Sequence, residues 1–415
     1  MRIFILLLFS LSLSIVHAAD SLRIALISDL HYLASGLAAQ GKAAERYEAA
    51  TGRNVSELHS VLDATLDSIV NAKTEVLLIA GDMTNHGERD SHIELLGKIE
   101  PLRAAGMRIF VIPGNHDINV PNARAYRENE IAPTPGISPS EFEQLYAPFG
   151  YSEALRRDTA SLSYLTALTD SLWLLCIDTN RYAEYKSSSI SGGRILPETL
   201  QWALDILREV REKRITVLGM MHHGLVEHLP YQSVFFADYL IDDWENNARI
   251  LADNGLQVVF TGHFHANDIT SLTSENGNRI FDVETGSLSQ YPLPFRLLTL
   301  KGKTLDIDTR FVESIPGNAD LQEKYRLKME AFSRHSTGAK LQNLGMPISG
   351  EAREALAEML VQMSLLHAHG DETLDDKILK AVVQFAAVAG DDDFDVQSFQ
   401  LDFPPADNQL TIQLK

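Results

Sequence analysis

A single cysteine, Cys176, stands in a chain of 415 residues, so neither an intramolecular disulfide nor a cysteine-based zinc cluster can form. Cations are also scarce. Lys+Arg 36 against Asp+Glu 56 leaves a formal net charge of -20, which opposes general electrostatic attraction to nucleic acid or anionic lipid. Beyond the amino-terminal leader no stretch is apolar enough to span a bilayer, and glycine-rich phosphate cradles and a Ser-His-Asp nucleophile arrangement are both missing. An anionic substrate would therefore need a local positive centre, such as metal ions. The remaining composition, 45% hydrophobic and 22% charged, excludes collagenous and wholly disordered classes. The length suits two domains, or one large catalytic domain with an appendage.

The leader occupies residues 1–18. Arg2 precedes an apolar run from Ile3 to Val16 that is too short for a comfortable membrane span, and Val16 and Ala18 offer the small residues of a cleavage site. Cleavage after Ala18 predicts an exported protein, periplasmic or secreted, that makes no use of the oxidising conditions it meets. No cysteine lies near that point to carry a lipid, so no stable membrane anchor is expected.

Six short runs rich in Val, Ile and Leu stop abruptly at polar residues: Ile24 to Ile27, Val76 to Ile79, Ile109 to Ile112, Leu172 to Ile177, Ile215 to Leu218 and Val258 to Phe260. They predict buried strands. Segments of helical period lie between several of them, as in Leu58, Val61, Leu62, Leu66 and Ile69, so the alternation is of the β-α-β kind. Sheets of this kind collect chemistry at the carboxyl ends of their strands. Leu297 to Leu300 and Leu305 to Phe311 flank Lys301-Gly302-Lys303 as a hairpin closing a first domain, 19–315. The remainder, 316–415, predicts a small helical domain with helices over Leu321 to Ser333, Ala352 to His367 and Asp375 to Val388. Ala34 to Arg53 is expected to be a polar insertion outside the core.

The predicted strands end in residues that bind metal. The first ends in Ser28-Asp29-Leu30-His31, where alternate residues share a side. The second ends in Gly81-Asp82, the glycine permitting close backbone approach and the aspartate offering two oxygens that can bridge two ions. The third ends in Gly114-Asn115-His116-Asp117, the fifth in Met221-His222-His223 and the sixth in Gly262-His263-Phe264-His265. Carboxylate, amide oxygen and imidazole suit Mn, Fe, Zn or similar ions, and two such ions about 3.5 to 4 Å apart can clamp an in-line displacement at phosphorus. Of the tandem pair His222 is preferred as ligand, with His223 as the alternative. His86 and His92 are expected to be exposed loop and helix residues, and Asp178 a structural hydrogen-bonding residue.

In this order and spacing the motifs resemble the calcineurin-like metallophosphoesterase family over roughly residues 22 to 300. The resemblance implies an α/β fold, a four-layer α/β/β/α sandwich with a dinuclear site between the sheets. By that likeness Asp29, His31, Asp82 and His265 would hold one metal, and Asp82, Asn115, His222 and His263 the other. A hydroxide bridging the two ions would attack phosphorus, with His116 as proton donor to the leaving group. Where the Ser/Thr phosphatase branch has an Asp-Arg pair, this chain has Asn85 and His86, which argues against a phosphoprotein substrate. Asn85 is expected to hydrogen-bond the catalytic imidazole without stabilising its charge.

Thr84 to Glu88, Val111 to Asn122 and Glu284 to Arg296 further resemble exported bacterial class III cyclic-nucleotide phosphodiesterases carrying a helical carboxyl-terminal domain. The expected activity is hydrolysis of small phosphodiesters, 3',5'-cyclic nucleotides among them. A broad phosphomonoesterase or nucleotidase is the alternative, and a non-catalytic binding protein is disfavoured because all ligands are retained. No nucleic acid duplex is expected as a partner. The helical segment suits a lid beside the site or a contact within a homodimer.

Overall fold

The computed structural model describes residues 21–39, 41–230, 232–343, 350–373, 376, 378–380, 382–383 and 404–415. The expected leader and most of the helix expected over Asp375 to Val388 lie outside the described residues.

The strands, in chain order, are β1 (Leu22–Ile27), β2 (Val76–Ile79), β3 (Arg108–Val111), β4 (Arg124–Arg127), β5 (Glu130–Pro133), β6 (Arg156–Arg157), β7 (Tyr164–Thr169) and β8 (Leu172–Cys176). They continue with β9 (Thr216–Met220), β10 (Val258–Thr261), β11 (Ile269–Thr273), β12 (Arg279–Glu284), β13 (Pro294–Lys301), β14 (Thr304–Phe311) and β15 (Gln409–Gln413). The α-helices are α1 (Lys42–Thr51), α2 (Leu58–Asn71), α3 (Arg89–Ala104), α4 (Pro139–Leu145), α5 (Pro197–Lys213), α6 (Gln232–Phe235), α7 (Trp244–Asp253), α8 (Leu321–Asn343) and α9 (Gly350–His369).

One sheet has six strands in the order β15-β14-β13-β1-β2-β3, and a second has seven in the order β11-β12-β10-β9-β8-β7-β6. All six apolar runs of the sequence are strands, and β1, β2 and β3 pair in parallel, as do β8, β9, β10 and β12. Both faces of these strands are covered, which is why they carry continuous apolar runs rather than alternation. Leu26, Leu78 and Val111 of the first sheet share one core with Leu174, Leu218 and Phe260 of the second, and Val61, Leu62, Leu95 and Ile99 of α2 and α3 join it from outside. On the far side, α5 and α7 bury Ala203, Leu207, Ala248 and Leu251 against Leu175, Val217 and Val259. The layers are thus α/β/β/α.

The fold departs from the sequence expectation in two places. The segment Ala34 to Arg53 is not merely a polar insertion, because it forms α1, whose Ala43 and Tyr47 are buried with Leu33, Val55 and Tyr126. Second, the chain after 316 is not wholly helical. Gln409–Gln413 returns as β15 and pairs antiparallel with β14, placing Ile412 opposite Leu305. Leu410 and Ile412 have the period of two that a strand requires, in a stretch too short to compete with the helical pattern around it.

Candidate metal centre

The loops that follow β1, β2, β3, β9 and β10 meet at one rim of the two sheets, and each brings its polar motif with it. The backbone there is bent to do so. Asp29 (φ 51), His31 (φ 46), Asp82 (φ 47), His263 (φ 77) and His265 (φ 61) all occupy the left-handed region, where a residue with a side chain costs roughly 1–2 kcal/mol. Such strain persists only where surrounding bonds fix it. Asp29 and His31 donate their backbone N–H groups to the carbonyls of Gly81 (3.1 Å) and Asp82 (2.9 Å), which locks the two loops together. Glycine 81 is required by contact: a Cβ there would lie 2.5 Å from His222 Nδ1.

Two groups of donor atoms result, Asp29 with His31 and His265, and Asp82 with His222 and His263. Asp82 faces both. Its Oδ2 lies 3.7 Å from His31 Nε2, and its Oδ1 lies 3.4 Å from His222 Nε2. Asn115 Oδ1 stands 3.2 Å from the same His222 nitrogen, and Asp29 Oδ1 stands 3.1 Å from His265 Nε2.

The tautomers decide whether these groups fit metal ions. His222 Nδ1–H donates to the Ala80 carbonyl (2.8 Å) and His265 Nδ1–H to Gln290 Oε1 (2.5 Å). With Nδ1 engaged in this way, each ring turns Nε2 toward carboxylate or amide oxygens. His263 donates Nε2–H to the Asp238 carbonyl at 3.1 Å, leaving Nδ1 as its lone-pair atom. A ring nitrogen and oxygens converging in this way repel unless a cation, either a proton or a metal ion, lies between them. The residues present fit two divalent ions, with Asp82 as the shared ligand.

The electrostatics agree. Burial disfavours the charged form of His222, yet the carboxylates of Asp82 and Asp29 push its pKa up to about 9. The same potential favours a cation. Burial pushes Asp117 up to about 7, helped by Asp82. Its carboxyl accepts the backbone N–H groups of Gly114 (2.8 Å), Thr84 (2.8 Å) and Met83 (3.2 Å), clamping the loops after β2 and β3. That role was not evident from the sequence.

The tandem histidines separate. His223 Nδ1 bonds Thr179 Oγ1 at 2.7 Å, whereas His222 lies in the donor group with Asp82, so the geometry favours His222 as the ligand. Asp178 serves hydrogen bonding, accepting from Asn180 N (3.0 Å) and Tyr182 Oη (3.0 Å). His86 and His92, expected to be exposed, are buried. His92 bonds the Asp117 carbonyl through Nε2 and Tyr146 Oη through Nδ1, both at 2.9 Å, and a polar ring so satisfied can be enclosed.

His116 lies beside the metal groups, its ring 5.2 Å from that of His31, and belongs to neither group. Its Nδ1–H donates to the backbone carbonyl of Asn85 at 2.9 Å. This corrects the expected role of Asn85, whose side-chain Oδ1 instead accepts from Tyr47 Oη at 2.5 Å. Burial and the Arg53 guanidinium hold the His116 pKa down at about 4, against the pull of Asp82.

Sequence reasoning missed Arg53. It precedes α2, donates Nη1–H to Tyr47 Oη (3.2 Å), and places Nη2 3.4 Å from His116 Nε2. The sequence carried only an indirect signal: His86 stands where the resemblance to the Ser/Thr phosphatase branch would put an arginine, so a cation beside His116 has to come from elsewhere in the chain.

The family model for calcineurin-like phosphoesterases matches residues 22–267, more than half the chain, and the protein belongs to that family. It is a hydrolase acting on phosphoric esters. Among solved structures the chain is similar to a dimetal phosphatase from Danio rerio, at 14% identity over 70% of this chain and 96% of that one, with a TM-score of 0.49. It is also similar to purple acid phosphatase PPD1 from yellow lupin seeds, at 12% identity over 71% of this chain and 52% of that one, TM-score 0.46. No curated protein sequence matches the chain.

Proposed function

We propose that the protein is a dinuclear metal phosphodiesterase whose substrates are nucleoside phosphodiesters, 3',5'-cyclic nucleotides among them. The observation that carries this reading is the placement of Arg53 and His116 together at the edge of two donor groups, both of which Asp82 faces. Two divalent ions held by Asp29, His31, Asp82, Asn115, His222, His263 and His265 would supply Lewis acidity toward phosphoryl oxygen and an activated water at neutral pH. Manganese, iron and zinc all suit this nitrogen and oxygen set.

The chain's own residues account for the rest. Arg53 is fixed by Tyr47 and offers a charge-assisted bond to a phosphoryl oxygen. His116 holds its proton on Nδ1 in the free protein, so to act as general acid it must present a proton at Nε2, beside Arg53. A phosphoryl oxygen that takes up the guanidinium relieves the repulsion now opposing protonation of His116. On the other side of the site Tyr239 packs 5.2 Å from His263 and 4.4 Å from Phe264, with Phe236 next to it. Half-buried rings in this position give a nucleobase a surface on which to stack.

The alternative, a broad phosphomonoesterase or nucleotidase, uses the same centre. Metal analysis followed by parallel assays on bis-p-nitrophenyl phosphate, p-nitrophenyl phosphate and cyclic and linear nucleotides separates the two. Diester hydrolysis exceeding monoester hydrolysis is the expected result, and the reverse preference would overturn the proposal. Export from the cell belongs to the same proposal, resting on the leader sequence alone.

A further inference from the structure

A second set of metal-binding side chains lies on the far flank of β12. Asp268, just before β11, faces His367 near the end of α9, and Glu372 follows two residues after Gly370. His367 Nδ1 is 2.8 Å from Glu372 Oε1 and 3.7 Å from Asp268 Oδ2. The side chains of Asp268 and Glu372 are 0% and 1% exposed, and one ligand atom from each of the three residues lies within 4.8 Å of the others.

Several features distinguish this set from an ordinary buried ion pair. Glu284 Oε2 is buried with His228 Nε2 3.4 Å away, whereas Asp268 Oδ2 and Glu372 Oε2 are buried without a hydrogen-bond donor. A buried carboxylate oxygen left so is expensive unless a cation answers it. The nearby Arg296 does not answer it directly, since its guanidinium donates to Thr309 Oγ1 (2.7 Å) and to the carbonyls of Asp407 (2.6 Å) and Glu284 (2.5 Å). His228, completely buried, bonds Asp268 Oδ1 at 2.6 Å and so fixes the carboxylate with its other oxygen toward His367. Histidine and carboxylate in such relays orient ligands around metals. Asp282 Oδ2, by contrast, accepts the backbone N–H groups of Leu225 (2.6 Å) and Val226 (3.0 Å) and lies 3.4 Å from His228 Nε2.

We infer that Asp268, His367 and Glu372 form a further cation site, distinct from the dinuclear centre, which takes one divalent transition ion with Glu284 beside it. One imidazole among carboxylates selects zinc- or manganese-like ions over calcium or magnesium, which prefer oxygen alone. Its place in the fold gives it a purpose. It joins the end of α9 to the residue that leads into β11, and the His367 ring packs 5.2 Å from Phe264, the residue between His263 and His265. An ion here ties the carboxyl-terminal helix to the loop carrying those two histidines.

Elemental analysis of the full chain tests this. The purified protein should hold about three equivalents of zinc or manganese, two for the dinuclear centre and one here. His367→Ala and Glu372→Gln should each lose about one equivalent and retain the others, and both should lower the melting temperature relative to the parent in zinc but not in chelator. Metal content in both variants equal to the parent would overturn the proposal. If His367→Ala does not fold, the near-isosteric Glu372→Gln and an anomalous scattering map of the parent decide it. A peak among Asp268, His367 and Glu372 supports the site. Peaks confined to the Asp82 region overturn it while leaving the dinuclear reading intact.

Discussion

Arg53 Nη2 and His116 Nε2 lie 3.4 Å apart, although one residue precedes α2 and the other follows β3. The pair sets a cation against the nitrogen from which a leaving group would receive its proton. Burial keeps the imidazole neutral with Arg53 adding to it, and in the proposed mechanism Arg53 would also bind the anion that relieves its own contribution.

Replacing Arg53 by alanine should accordingly lower kcat/KM on phosphodiesters by about 10- to 100-fold, the worth of one charge-assisted hydrogen bond. Metal content should stay unchanged. Arg53→Lys should recover only part of the loss, since an ammonium cannot reproduce the forked contact to Tyr47 and phosphate together. Steady-state kinetics with metal analysis on both variants check this, and equal activity in parent and Arg53→Ala would remove Arg53 from the site.

Substituting His116 by alanine should leave both ions bound and produce losses that depend on the leaving group. General acid catalysis typically contributes about 10² to 10⁴ in rate, and a ribose alkoxide needs the proton far more than p-nitrophenolate does. The loss on a nucleotide diester should exceed that on bis-p-nitrophenyl phosphate. Equal losses would make His116 a positioning residue. Asn85→Ala should show little of this dependence, because it is the Asn85 backbone carbonyl that bonds His116.

Asp82→Asn should be the most damaging change among the ligands. Its two oxygens face different donor groups, and the amide removes the charge shared between two cations. Turnover should fall to background with a drop in bound metal. A variant keeping near-normal rate and metal content would refute the bridging role.

Glu88 gives a test of stability rather than activity. Burial pushes its carboxyl up to about 7, although it accepts the His86 backbone N–H at 2.9 Å. In the unfolded chain the carboxyl titrates near its ordinary value, so between there and about pH 7 the folded state binds more protons. Stability from this group therefore falls as pH rises through that window. Glu88→Gln should raise the melting temperature at pH 8 and change it little at pH 5. A melting temperature unaltered at both would show that Glu88 is not held protonated.

The strands and their terminal motifs were legible because each depends on a few adjacent residues: an apolar run buried on both faces, then a polar turn. His31, Asp82 and His265 could be named as candidates without knowing how the sheets pack, and the structure brings each into a group of donor atoms. Arg53 could not, since only the return of the chain after α1 brings it to His116, and its local sequence has the polarity of any exposed loop. His92 differs from expectation for a related reason. It was expected on the exposed face of a helix, but the buried Tyr146 and the Asp117 carbonyl that satisfy its ring come from distant segments.

The edge strand β15 changes how α8 and α9 should be regarded. Because Gln409–Gln413 completes the sheet that begins with β1, the helices are a loop inserted between two neighbouring strands, β14 and β15, rather than a tail. The first sheet cannot be closed along β14 until residues 409–413 have been made, and the backbone carbonyl of Asp407 that accepts from the buried Arg296 comes only shortly before them. Deleting residues 409–413 alone thus strips an edge from the catalytic sheet while leaving α8 and α9 in the chain. Excising 320–405 behind a short linker that rejoins β14 to β15 would be the cut that respects the topology.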